Sequence, residues 1–335
     1  MTGRDCGAAK SDLHLIELDQ PLPGQRRFIS CWVSRSDDLT FVVDPGPPAT
    51  GQVLIRGLDR LGIERLDFIL LTHIHLDHAG ATAELLQKWP DARVVCHPRG
   101  RPHLVHPDRL WEGSLQVLGR TAEVYGRPSP VPQDAVANFD EANGRGGKYE
   151  EAVAAGIEVI QTPGHAPHHV CFLNGGRLFS GEAAGTFSTL GRGSDTREYY
   201  LRPATPPMFK LEVAISSLDR LLALDPAPRE LLFAHHGRFT GDVRGLLQTA
   251  RDQLFLWVET CREMVSRSGG LPTPGDTGQE IALMDKIAAE LARRDEHYAR
   301  GADHPEDIRI RERDFTRQTL RGMLGYLRTS VNAAG

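Results

Sequence analysis

With 335 residues, 40 % of them apolar and 25 % charged, the chain can form one large domain with an appendage, or two domains, and bury its core without staples. A formal net charge of −5 offers no global attraction for a polyanion, so neither nucleic acid nor an anionic membrane is an expected partner. Residues 1–11 mix Arg4, Asp5 and Lys10 with small residues and lack the apolar core of a secretory signal, and no apolar run reaches the length of a membrane span. Cys6, Cys31, Cys96, Cys171 and Cys261 are scattered and never form a C-x-x-C pair, as expected of reduced thiols in a cytoplasmic protein.

Residues 13–18, 28–33 and 39–43 read as short β-runs separated by Pro, Gly and Asp clusters. A helix is expected over 52–61, where Leu54, Ile55, Leu58 and Leu61 recur at helical spacing. Residues 67–71 form a continuous apolar run, as in a strand buried on both faces, and lead into Thr72-His73. A second helix is expected over 79–89, stopped by Pro90, and then a strand over 93–96. Another β-series falls at 157–161, 169–173 and 177–180, with Asn174-Gly175-Gly176 suited to a hairpin turn, and a further strand at 231–234.

From about residue 241 the periodicity is helical, carried by Leu247, Ala250, Leu254, Val258 and Cys261. Residues 272–278 read as a linker, and amphipathic segments follow at 281–291 and 308–327. Residues 125–147, rich in Pro, Gly and Asn, read as an irregular excursion, and 185–207 as a long loop of the kind that lines a site. Trp257, Phe255, Phe315 and Tyr326 on the helical part are expected in the core or in a homodimer contact; covering a site is the alternative.

The sharpest feature is His73-Ile74-His75-Leu76-Asp77-His78, set between a buried strand and a helix. It therefore occupies a loop at a strand's C-terminal end, where open α/β sheets carry ligands. Alternation puts His73 and His75 on one side of an extended segment, and a tight turn swings Asp77 and His78 towards the same volume. Imidazoles and a carboxylate gathered with little conformational freedom are what metal binding needs.

This hexad resembles the signature loop of the metallo-β-lactamase superfamily, and residues 10–240 agree with it in order and spacing. Asp44, in Val42-Val43-Asp44-Pro45-Gly46, resembles the early strand-end aspartate. Thr162-Pro163-Gly164-His165 resembles the next ligand motif, with His169 at a second histidine position that is usually not a ligand. Phe179-Ser180-Gly181-Glu182 stands where a strand normally ends in Gly-Asp. Ala234-His235-His236-Gly237 resembles the final His-Gly.

The resemblance implies an α+β fold, a four-layer αββα metallo-β-lactamase sandwich over residues 1–240, with a C-terminal helical extension over 241–335. It implies two divalent metal ions, zinc first, with iron or manganese as alternatives. His73, His75 and His165 would hold one, Asp77, His78 and His236 the other, and Glu182 would bridge them. Asp77 would thus serve the chemistry as well as the metal, and Asp44 would orient a ligand. Glu182 is longer than aspartate by one C–C bond, about 1.5 Å, so bridging, binding one metal and leaving the second site weak all stay open. His235 is the alternative to His236.

Tyr199, Tyr200 and Arg202 follow Glu182, where a phenol or guanidinium could stabilise an oxyanion or grip a carboxylate; ordinary loop packing is the other reading. His168 reads as a loop residue, and His14, His97, His103, His106, His297 and His304 as surface or capping residues.

Hydroxyacylglutathione hydrolase-like and lactonase-like enzymes are the relatives most resembled. They imply hydrolysis of a small-molecule ester, thioester or lactone by metal-bound hydroxide. Two other branches of the superfamily remain as alternatives: a mononuclear-iron persulfide dioxygenase-like oxidoreductase, and a phosphodiesterase, which the acidic balance disfavours. A non-enzymatic metal-binding scaffold is the last.

Overall fold

The computed structural model describes residues 11–137, 149–190, 198–235, 237–273 and 276–333. Cys6, His236 and residues 138–147 of the expected excursion lie outside them. Two compact units are present: one made of the chain up to Gln20, Arg27–Ile160 and Phe172–Arg177, the other of Pro21–Arg26, Gln161–Cys171 and the chain from Leu178 onward.

The first unit opens with β1 (Asp12–Glu17), β2 (Ser30–Arg35) and β3 (Thr40–Val43), an antiparallel series. Helix α1 (Gly51–Arg60) then carries the chain to β4 (Phe68–Leu70), which pairs parallel with β3. Every residue of β3 and β4 is buried, as expected of strands covered on both faces. Next come α2 (Leu76–Ala79), α3 (Thr82–Lys88) and β5 (Arg93–Val95), which completes a five-stranded sheet of order β1-β2-β3-β4-β5.

The single helix expected over 79–89 is instead two. Thr82 donates its hydroxyl to the Ala79 carbonyl at 2.7 Å, satisfying a helix end, and Gly80 packs so closely that a Cβ would sit 2.4 Å from the Pro48 ring. No element is expected over 97–124, yet α4 (Arg101–Val105), α5 (Asp108–Leu118) and α6 (Arg120–Tyr125) form there. None of the α5 side chains is fully buried, which explains the weak sequence signal. Helix α7 (Glu150–Ala154) follows.

A second five-stranded sheet contains β6 (Glu158–Gln161), β7 (Val170–Asn174), β8 (Arg177–Gly181) and two later strands. Between β7 and β8, Gly175 (φ 57°) and Gly176 (φ 78°) both take positive φ, the primed-turn geometry that suits a two-residue hairpin. The expected long loop over 185–207 is not wholly a loop. It contains β9 (Thr186–Ser188) and β10 (Tyr200–Arg202), paired antiparallel with Phe187 opposite Leu201, both buried. Each run is too short to announce itself by alternation.

Helix α8 (Leu211–Leu222) precedes β11 (Glu230–Phe233) and β12 (Gly237–Phe239), giving the sheet order β12-β11-β8-β7-β6. Helices α9 (Val243–Arg267), α10 (Thr277–Arg294), α11 (Glu296–Ala299) and α12 (Glu306–Ala333) complete the second unit. Asp242 and Asp276 cap α9 and α10 by accepting from the Gly245 and Gln279 amides at 3.0 Å. Asp295 ties helices together: Oδ1 accepts the first amides of α11, while Oδ2 accepts from Gln253 and Trp257 of α9 at 2.8 and 2.7 Å. Trp257 is thus core, whereas Phe255 is 43 % exposed. Cys31, Cys96, Cys171 and Cys261 are buried and form no disulfide, and burial pushes the Cys96 and Cys261 thiols up to about 12. No described helix is long and apolar enough to cross a membrane.

Candidate metal centre

In the first unit the parallel strand β4 delivers Thr72 and His73 directly from its C-terminal end, and His75 stands at the N-cap of α2. Asp44, at the corresponding end of β3, organises these residues. Its Oδ1 accepts from the Thr72 amide at 2.8 Å, and its Oδ2 accepts from the Thr72 hydroxyl at 2.7 Å and from His78 Nδ1 at 3.1 Å. With the hydroxyl proton committed to Asp44, Thr72 Oγ1 accepts from His73 Nδ1 at 3.1 Å. Both imidazoles therefore carry their hydrogen on Nδ1 and keep the Nε2 lone pair for a ligand, the arrangement that orients metal-binding histidines.

Asp44 has φ 54°, a left-handed conformation that aspartate tolerates better than most residues. Gly46 (φ 84°) completes the turn: its amide donates to the His78 carbonyl, and a Cβ there would lie 2.4 Å from Leu18.

The donor atoms fall into two pairs. His73 Nε2 lies 2.9 Å from His75 Nδ1, and His78 Nε2 lies 3.6 Å from Asp77 Oδ2. Lone pairs this close repel unless a proton or a cation lies between them, so the donor set fits metal. Asp44→Asn should keep the fold and lower metal affinity about 10- to 100-fold, because the amide keeps one accepting oxygen and its NH2 cannot accept from the hydroxyl and imidazole that now converge on Oδ2. Chelator competition measures this, and wild-type affinity in the variant would remove Asp44 from its orienting role.

The second unit supplies a further set. After β6, Thr162 and His169 close a turn through Thr162 N to His169 O at 3.0 Å, which presents His165. His165 Nδ1 donates to the Ala204 carbonyl at 3.1 Å, which turns Nε2 towards Glu182. Its Nε2 lies 2.9 Å from Glu182 Oε2, while His235 Nε2 lies 3.3 Å from Glu182 Oε1. Each carboxylate oxygen thus faces a different imidazole. Burial alone would raise the Glu182 pKa, but His165 and His235 outweigh it and hold the carboxyl well below the usual range.

His169 is fully buried and holds Glu182 from behind. Its Nε2 accepts from the Glu182 amide at 3.2 Å, so its Nδ1 bears the hydrogen that Thr162 Oγ1 accepts at 2.9 Å.

Tyr199, Tyr200 and Arg202, the expected substrate contacts, have partners within the second unit. Tyr200 donates to Glu312 at 3.0 Å and Arg202 Nε donates to it at 2.7 Å, with both residues nearly fully buried, so these polar groups serve packing against α12. Tyr199 is buried and stacks on His297 at 4.5 Å. His304 is 2 % exposed and packs edge-on against Tyr200, so a surface role is wrong for it. His97 Nδ1 accepts from the Arg99 amide at 3.1 Å, closing a local turn ahead of α4 and not capping it. Sequence reasoning missed the orienting threonines. A threonine directly before His73 and one opening the turn to His165 were the available signal.

The sequence profile of the Metallo-beta-lactamase superfamily matches residues 24–235. A metallo-beta-lactamase fold-containing protein of Sulfurisphaera tokodaii is 32 % identical over 210 residues, covering 62 % of this chain and 72 % of that protein. A hydroxyacylglutathione hydrolase of Xanthomonas axonopodis pv. citri is 29 % identical over 189 residues, 56 % of this chain and about half, 53 %, of that enzyme. The crystal structure of an archaeal metallo-beta-lactamase superfamily protein from Sulfolobus tokodaii superposes with a TM-score of 0.54 at 27 % identity, covering 72 % of this chain and 85 % of that one. A metallo-beta-lactamase family protein from Thermus thermophilus, at 21 % identity and TM-score 0.56, shares the fold over 95 % of this chain and 93 % of its own. The α+β fold, the ordered motifs and these matches agree: the chain belongs to the metallo-beta-lactamase superfamily and is one of its metallo-hydrolases.

Proposed function

We propose that the chain hydrolyses a small-molecule ester, thioester or lactone at a pair of divalent cations, zinc first. His73, His75 and His165 would hold one cation; Asp77, His78 and His235 would hold the other; Glu182 would bridge. The observation that carries this reading is Glu182, whose two oxygens stand 2.9 and 3.3 Å from two different imidazoles. The longer side chain is thus compatible with bridging. His235 is preferred to its neighbour because its Nε2 faces that carboxylate; His236 lies outside the described residues.

Bound there, divalent cations would supply Lewis acidity, lowering the pKa of a water towards about 7 and polarising the scissile carbonyl. The chain's own residues prepare for that. Asp44 fixes the tautomers of His78 and, through Thr72, of His73. The Ala204 carbonyl does the same for His165, and His169 anchors the backbone of Glu182. In His73, His78 and His165 the proton on Nδ1 is held by an acceptor, so it does not compete for the lone pair on Nε2.

The test is metal content followed by substrate. Two zinc or manganese ions per chain are expected, with turnover of acylglutathione thioesters or lactones that is lost on chelation and restored by zinc. Little cleavage of bis-p-nitrophenyl phosphate is expected. A single iron with oxygen uptake on glutathione persulfide would overturn the hydrolytic reading.

A further inference from the structure

The carbonyl that holds His165 belongs to a segment with no regular structure. Residues 203–205 follow β10, and a bare loop is a poor anchor for a ligand that must be placed to within tenths of an ångström. This loop is clamped, and the clamp is one residue of the C-terminal helix. The Thr319 hydroxyl donates to the Pro203 carbonyl at 3.2 Å, and the Thr205 hydroxyl donates to the Thr319 carbonyl at 2.7 Å. The residues on either side of Ala204 are therefore both hydrogen-bonded to the same turn of α12.

Two neighbours on the helix extend the contact. Glu312, two turns earlier on the same face, grips Tyr200 and Arg202 at the end of β10. Gly322, one turn later, lets the loop approach so closely that a Cβ there would lie 2.2 Å from the Pro206 carbonyl oxygen. Thr205 and Thr319 are 7 % and 2 % exposed, so water does not readily substitute for either bond.

We propose that Thr205 and Thr319 are positioning residues for the metal centre. They lock the Ala204 carbonyl against α12, and that carbonyl sets the ring orientation and Nδ1–H tautomer of His165. The C-terminal helix, far along the chain from every ligand, then contributes to metal affinity through a backbone relay. The inference rests on His165 being a ligand, as proposed above.

Thr319→Val and Thr205→Val, singly and together in the full-length chain, remove the clamp with little change in volume. Zinc affinity is read by competition with a chromophoric chelator, the ligand field by cobalt absorption, and stability by thermal unfolding of the metal-free protein. The double variant should bind one of its two zinc ions about 10-fold or more weakly, with an altered cobalt spectrum. Thr319→Ser, which keeps the hydroxyl, should restore both. His165→Ala should lose that same zinc. If the valine variants lose thermal stability yet keep wild-type zinc affinity and cobalt spectrum, the threonines are structural only and the proposal fails. If the double variant does not fold, the two single variants decide by the same criterion. If instead His165→Ala retains both zinc ions at wild-type affinity, the ligand assignment itself falls, and the relay with it.

Discussion

Replacing His75 by alanine should abolish hydrolysis and metal loading together while leaving the chain folded. His75 is half-buried at the N-cap of α2 and makes no side-chain cap bond, so its loss does little to the first unit's sheet. Its Nδ1 is one half of the 2.9 Å pair with His73 Nε2, and alanine leaves that position without a donor. Removing a cation from a two-metal site forfeits several kcal/mol of transition-state stabilisation. At about 1.4 kcal/mol per tenfold in rate, activity should fall to about a thousandth or less. Metal analysis, the zinc-dependent turnover assay and far-ultraviolet circular dichroism read the three consequences separately. Turnover that persists with the metal gone would show that the chemistry does not pass through this centre.

How legible the fold was depended on how each element hides its apolar side chains. β3 and β4 are buried along their whole length and announced themselves as unbroken apolar runs. The long helices α9, α10 and α12 repeat their apolar positions over enough turns for the period to be counted. By contrast, α5 buries nothing completely, and β9 and β10 are three residues each, so neither period had room to emerge. Between α2 and α3, Gly80 leaves no room for a Cβ beside the Pro48 ring, a tertiary constraint that no local pattern encodes.

The candidate site was legible where chemistry is concentrated in neighbouring residues. His73, His75, Asp77 and His78 share one loop, and Asp44 proved to be the group that hydrogen-bonds it. For Tyr199, Tyr200 and Arg202 the sequence shows only polar groups after a ligand position, which does not separate a substrate role from packing. Their partners, Glu312 and His297, lie about a hundred residues further along the chain. Charge on a strand says that a partner exists, and only the fold says whether it is a substrate or a helix.

That pairing makes Glu312 the second sensitive position. Its carboxylate accepts from Tyr200 and Arg202, and Arg311 donates to it at 3.0 Å; Arg202, Arg311 and Glu312 are all at most 5 % exposed. Burial works against the charge, but Arg202 and Arg311 outweigh it and hold the carboxyl down from 4.5 to about 2. Glu312→Gln preserves the shape and leaves two buried guanidinium groups without their anion, a change that costs about 3–5 kcal/mol. The melting temperature should drop on the order of 10 °C. The pH dependence gives the sharper reading. Because the folded carboxyl lies below its unfolded value, its stabilisation is fully present above about 4.5 and is lost as pH falls towards about 2. A shift of that size corresponds to about 3 kcal/mol. The stability gap between wild type and Glu312→Gln should therefore be constant from pH 7 to about 5 and narrow steadily below it. A gap that stays the same down to pH 2 would show that Glu312 acts there by shape rather than by charge.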